Sequence, residues 1–454
     1  MAVDLIVRGG YLVTPEGPFV ADLAVEDGKV SAVGPDIEES AAEEIDARGL
    51  HVLPGAVDAH VHFNEPGRTH WEGYETGTRA LAAGGFTSYV EMPLNAYPPT
   101  CDVACFDEKL ARATKSSLVD FALWGGLVPG NLEEMEGLAE RGVAGFKAFM
   151  STTGTLDFQA ADDLTLLEGM SKAAELGLPV LVHAENKGIT DDLARRYVGT
   201  LKTTARDFLA SRPVIAELEA ISRAILLAEE TGCSLHIVHV STGRGVALVA
   251  GARARGVDVT CETCAHYLVF TDEDVEELGA VLKCAPPLRA RRHMEELWDR
   301  LISGDVESVT SDHSPCPPDM KAGDDFFRAW GGISGCQSTL NVMLDAGHHE
   351  RGVSLQRIAA LVSGNVARRF RLPGKSGLEV GADADLALVD LQARFTLRPE
   401  DLLYRNNMSP YVGRTFQGSV VRTVLRGATV FRDGRILSRP IGEFIKPKNW
   451  RDDL

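Results

Sequence analysis

Residues 54–62 read Pro-Gly-Ala-Val-Asp-Ala-His-Val-His. A Pro-Gly turn followed by a short apolar run predicts a buried strand, here one that ends on two histidines. Towards the C-terminus, seven more apolar runs of strand length follow, at 86–92, 119–123, 143–149, 179–184, 234–240, 257–260 and 308–312. The intervening stretches have helical period. Val214, Leu218, Ile221, Ile225 and Ala228, for example, step by 4, 3, 4 and 3 and mark one face of an amphipathic helix. Glycines before strands (Gly84-Gly85, Gly142, Gly177, Gly232, Gly256) suit helix C-caps. Strand then helix, repeated eight times, predicts an α/β fold of the (β/α)8 TIM-barrel type. A doubly wound open sheet is the alternative. Neither GxGxxG nor GxxxxGK[ST] follows the first strand, which removes support from its nucleotide-binding versions.

Working outward from the barrel, the chain ends share a different grammar. Short strands at 5–7, 11–13, 22–25 and 29–33 are separated by Gly9-Gly10, Gly17-Pro18 and Asp27-Gly28. The pattern returns after Pro373-Gly374, with strands at 384–389, 420–426 and 429–432 and an Asp433-Gly434 turn. Residues 1–54 and 373–454 are therefore expected to form the two halves of one small β-sandwich, with the barrel at 55–372 between them.

The 454 residues carry a net charge of −19 with 44% hydrophobic content. So acidic a chain does not suit nucleic acid or anionic lipid, both of which require a basic surface. The N-terminus lacks a signal-like pattern and no run reaches transmembrane length, so a soluble, cytoplasmic protein acting on a small molecule is expected. Eight cysteines in a chain this long are not a disulfide scaffold. Cys261 and Cys264 form a single CxxC with no second pair to complete a zinc ribbon, and are read as reduced thiols packed at a strand end.

Candidate metal ligands gather at the predicted C-terminal strand ends, where barrel enzymes build their sites. His60 and His62, two apart on a strand, share a face and can address one ion. His183 ends the fifth strand and His239 the sixth, while His236, three residues earlier, is assigned to the helix-facing side as a packed histidine. Asp312 ends the eighth strand, and His313 points away. Each of these alone has a bland reading: a surface pair, a hydrogen-bonded core histidine, a helix N-cap. Lys147 lies inside Gly-Phe-Lys-Ala-Phe-Met (145–150), where an ammonium is costly to bury. It either snorkels or meets a buried carboxylate, or it reacts with CO₂ to give a carbamate, which could bridge two ions. Imidazole and carboxylate-type ligands suit Zn, Mn, Co or Fe without selecting among them. Two such ions could hold a hydroxide nucleophile and polarise a carbonyl.

These residues resemble the cyclic amidohydrolases, a family that includes dihydroorotases, hydantoinases or dihydropyrimidinases, and allantoinases. The likeness spans almost the whole chain. Residues 54–62 look like the family's first metal strand. The runs at 65–78, 91–95 (Glu-Met-Pro-Leu-Asn), 311–318 (Ser-Asp-His-Ser-Pro-Cys-Pro-Pro), 329–332 (Ala-Trp-Gly-Gly) and 409–414 resemble the allantoinase branch.

The resemblance implies two divalent ions, zinc foremost, bridged by N6-carboxylated Lys147. His60, His62 and Asp312 would hold one ion, and His183 and His239 the other. Asp312 would serve as general base and then general acid. It further implies ring-opening hydrolysis of allantoin to allantoate in ureide catabolism, with other cyclic ureides as the alternative substrates, and a homotetramer. Asn64 stands where dihydroorotases carry a carboxylate-binding Arg. Thr152 stands where hydantoinases carry an oxyanion-donating Tyr. Asn95, Thr152 and the backbone at Ala285 and Trp330 are the implied substrate contacts. Related chains that serve as scaffolds have lost their ligands, whereas all six positions are filled here.

Overall fold

Asp27 and Gly28 (φ 52° and 74°) and Asp433 and Gly434 (φ 48° and 79°) adopt left-handed conformations. Each pair closes a tight hairpin, with Glu26 opposite Lys29 and Arg432 opposite Arg435. This is the turn chemistry expected of Asp-Gly. The computed structural model describes residues 3–375 and 377–448. Among these, the hairpins belong to one nine-stranded sheet built from both chain ends. They meet at His51–Pro54, which pairs in parallel with Val3–Thr14 and antiparallel with Leu386–Thr396. Leu5, Val7, Leu23 and Val25 from one end share a core with Leu386 and Val424 from the other.

Gly9-Gly10 does not make the expected turn. Residues 3–14 form one strand with a register shift between Val7 and Gly10. The displaced Gly9 (φ 63°) donates its N–H to Asp22 Oδ1 at 2.8 Å, so a buried carboxylate stabilises a bulge where a hairpin was expected. Burial alone would raise the Asp22 pKa, but Arg8 and the N–H groups of Gly9 and Ile37 outweigh it and hold the pKa low. A carboxylate of this kind contributes stability above its unfolded pKa of about 3.9 and loses it as the pH falls through the lower folded value. Asp22→Asn should therefore cost about 1–3 kcal/mol at pH 7. In thermal unfolding the gap from wild type should narrow steadily below pH 4, and a gap independent of pH would contradict the assignment.

All eight expected barrel strands form: Ala56–Val61, Phe86–Glu91, Asp120–Leu123 (resuming at Gly125–Gly126), Phe146–Phe149, Val180–His183, Leu235–Ile237, Val259–Cys264 and Ser308–Thr310. Neighbours pair in parallel. The ring closes where His62 N–H donates to His313 O at 2.7 Å. Helices follow as predicted. In Val214–Thr231, Leu218, Ile221, Ile225 and Ala228 are buried, and Gly232 caps the helix at φ 68°. Val57, Ala59, Trp124, Leu181, Val238 and Phe370 form a separate cluster in the barrel interior. No helix among the described residues is long and apolar enough to cross a membrane.

His236 corrects the sequence reading. In register it is the partner of Leu181, which pairs with Lys147, so it shares their inward face. It lies against Phe370 and bonds to Thr260 and Glu262. Parity along the strand failed because the strand ends at Ile237 and His239 takes φ 41°, which turns its side chain inward two residues later.

Candidate active site

The side chains singled out at strand ends converge. His60 Nε2 and His62 Nε2 lie 3.3 and 3.4 Å from Asp312 Oδ1. His183 Nδ1 faces His239 Nε2 at 2.9 Å, and the His60 and His239 rings are 5.4 Å apart. Nitrogen atoms of His60 and His239 and an Asp312 oxygen all fall within 4.8 Å of one another. His239 and Asp312 both occupy the left-handed region, at φ 41° and 44°. For residues other than glycine this costs about 1–3 kcal/mol each, and here it aims both side chains into the barrel mouth. His313 faces away, towards Phe63, Tyr404 and Glu72.

Lys147 is fully buried and its Nζ has no hydrogen-bond partner. It sits 5.1 Å from the Phe149 ring centre, and Phe149 stacks on His183. Burial pushes its pKa down to about 7, so near neutrality much of it is free amine. Burial likewise lowers the pKa of His62, to about 4, and that of His183 and His239, which keeps these rings neutral, the form that binds metals. Burial would raise Asp312, but His60 and His62 outweigh it and hold it at about 2, so it is a carboxylate at any working pH.

These groups, Lys147 excepted, line an open cavity of ≈1080 Å³. Its wall also carries Asn95, Thr152, Ala285 and Trp330. Asn95 Nδ2 donates to Ser314 Oγ at 3.2 Å, and Trp330 Nε1 donates to Ser314 O at 3.3 Å. The Thr152 hydroxyl donates to Asp191 Oδ2 at 2.9 Å.

Two carboxylates behind the histidines escaped the sequence reading. Glu262 Oε1 accepts from His60 Nδ1 at 2.5 Å. Glu185 Oε2 accepts from His183 Nε2 at 2.9 Å and also pairs with Arg212. Both carried a signal. Glu262 is an acid inside a fully buried strand, the same feature that marks Lys147. Cys261 and Cys264 beside it are free and buried, as expected. Glu185 stands two residues after His183, an HxE counterpart of the HxH. The ion pair of Arg68 with Asp157 at 3.1 Å, between Trp71 and Tyr97 at the cavity wall, also went unread.

A parallel barrel with imidazoles, a carboxylate and a buried lysine at its C-terminal mouth has the form of a metal-dependent hydrolase. The profile described as the amidohydrolase family matches residues 51–430. An allantoinase of Rubrobacter xylanophilus is 69% identical over 100% of this chain and 99% of its own length. One of Deinococcus radiodurans is 53% identical over 99% and 100%. Among solved structures, the L-hydantoinase (dihydropyrimidinase) of Arthrobacter aurescens is similar at a TM-score of 0.95 and 36% identity, covering 98% of this chain and 100% of that one. The chain belongs to the amidohydrolase family, within its allantoinase branch, and divalent-metal binding comes with that membership.

Proposed function

We propose that the protein opens the hydantoin ring of allantoin with water to give allantoate. The observation that carries this is full-length identity of 69% and 53% to two allantoinases, supported by the convergence of His60, His62, His183, His239 and Asp312 on one cavity. The donor set fits divalent ions. Neutral imidazole nitrogens face one another, a carboxylate lies beside them, and a buried amine lacks any partner. His60, His62 and Asp312 would hold one ion and His183 and His239 another, with zinc the first choice among Zn, Mn, Co and Fe. Lys147 would join both as a carbamate. The lone pair of the free amine attacks the CO₂ carbon as one C=O π bond opens to a carboxylate oxygen and the N–H proton passes to solvent, so an unsatisfied buried amine becomes an anionic ligand. When bound, the ions supply Lewis-acid polarisation of the ring amide and lower the pKa of water.

The remaining work falls to the protein's own groups. Asp312, already ionised, accepts the proton from the attacking water and returns it to the ring nitrogen as the C–N bond breaks. Asn95, Thr152 and the backbone at Ala285 and Trp330 line the space for the ring and can fix its orientation by hydrogen bonding. The complete domain division at 54/55 and 372/373, residence in the cytoplasm and a homotetramer remain part of the same proposal. They are tested by limited proteolysis, fractionation and light scattering.

Other cyclic ureides are the second reading, favoured by the hydantoinase likeness. A substrate panel separates the two. Turnover of allantoin at least about tenfold above that of 5-substituted hydantoins, in kcat/KM, is expected; each tenfold step corresponds to about 1.4 kcal/mol of differential transition-state binding. Turnover of hydantoins with none of allantoin would overturn the proposal.

A further inference from the structure

Glu262 is fully buried on the seventh barrel strand, and no step described above uses it. Its two oxygens meet two different imidazoles: Oε1 lies 2.5 Å from His60 Nδ1, and Oε2 lies 3.3 Å from His236 Nε2. An ionised carboxylate only accepts, so both imidazoles must donate N–H to it. For His60 this places the proton on Nδ1 and leaves the Nε2 lone pair facing Asp312. His236 is held in turn. Its Nδ1 is 2.7 Å from Thr260 Oγ1, where it accepts the hydroxyl proton, and its ring packs edge-on against Phe370 at 5.1 Å. The chain Thr260–His236–Glu262–His60 therefore runs from the barrel interior to the site without a rotatable surface group.

The arrangement behind His183 differs. There the carboxylate engages Nε2, so Nδ1 faces the site, and Arg212 balances its charge. The hydrogen-bond partners of Glu262 are both imidazole rings.

We propose that Glu262 is a positioning residue for the metal centre: held between His60 and His236, it fixes His60 as the Nδ1–H tautomer and orients its ring toward the ion that His60 would hold. Without it, either His60 nitrogen could carry the proton, and one of the two tautomers would point an N–H at the ion. Outer carboxylates on metal-binding histidines typically account for about 10–100-fold in affinity. The inference rests on the metal-site reading proposed above.

The test is zinc affinity, measured by chelator competition from metal-free full-length protein, for wild type, Glu262→Gln and Lys147→Ala. The melting temperature of each metal-free form is recorded alongside. Glu262→Gln keeps the shape but offers one acceptor oxygen to two imidazole N–H groups. The expected result is a zinc Kd raised about 10–100-fold, with KM for substrate at saturating zinc within about twofold of wild type. An unchanged Kd, or a loss confined to the metal-free melting temperature, would overturn the proposal. Should Glu262→Gln not fold, Glu262→Asp is read in the same way. Its shorter arm withdraws from His60, so a raised Kd supports the proposal and an equal Kd overturns it. Wild type that takes up no stoichiometric zinc, or Lys147→Ala that binds as wild type does, would overturn the site reading instead, and this proposal with it.

Discussion

Lys147→Ala is expected to lose metal and to lower kcat/KM for allantoin by on the order of 10⁴-fold or more, while the protein still folds. The case is energetic. A lysine with no accessible surface, whose Nζ has no partner, would as an ammonium bear several kcal/mol of desolvation with no salt bridge in return. The nearby Phe149 ring returns only about 1–2 kcal/mol. Such a residue makes no structural sense in an apolar strand, where leucine would pack better. Its removal trades an unsatisfied amine for a small cavity, so the metal-free melting temperature should stay within a few degrees of wild type. Metal content by elemental analysis should fall below one ion per chain. Full activity in the variant would refute the carbamate role.

Asp312→Asn is expected to lower kcat by about 10³–10⁴-fold with little change in KM. Asp312 lies within 3.4 Å of two imidazole nitrogens and faces the cavity from a left-handed backbone conformation. The amide of asparagine occupies the same volume but cannot take up a proton. Because Asp312 is also a proposed ligand, metal content must be measured in parallel. Loss of turnover with more than half of the metal retained isolates the proton-transfer role. If activity instead tracked metal content alone, the base assignment would fail.

Much of this is legible in the sequence. The HxH at 60 and 62, the lone lysine in an apolar run and the strand-end positions of His183, His239 and Asp312 depend only on local pattern and on where barrels build sites. Closure of the two chain ends into one sheet followed from the Asp-Gly turns at both ends, though the pairing itself came from the structure. What failed did so where the backbone leaves the regular period. At His239 a positive φ undoes strand alternation, which is why His236 was placed on the wrong face. At Gly9 the chain bulges where a turn was expected, because Asp22, thirteen residues away in sequence, supplies the missing acceptor. Glu262 differs again, because its role depends on a partner 202 residues away. The signal of Glu185 is local, two residues from His183.

The central claim is that a metal centre completed by CO₂ on Lys147 opens the allantoin ring. It is tested most directly by stripping the protein of metal and CO₂ and then assaying allantoin hydrolysis on return of zinc alone, bicarbonate alone and both. Activity that returns with both together, accompanied by about two ions per chain and by allantoate as product, is the predicted result. Full activity from the stripped protein, or from zinc under rigorous CO₂ exclusion, would contradict it.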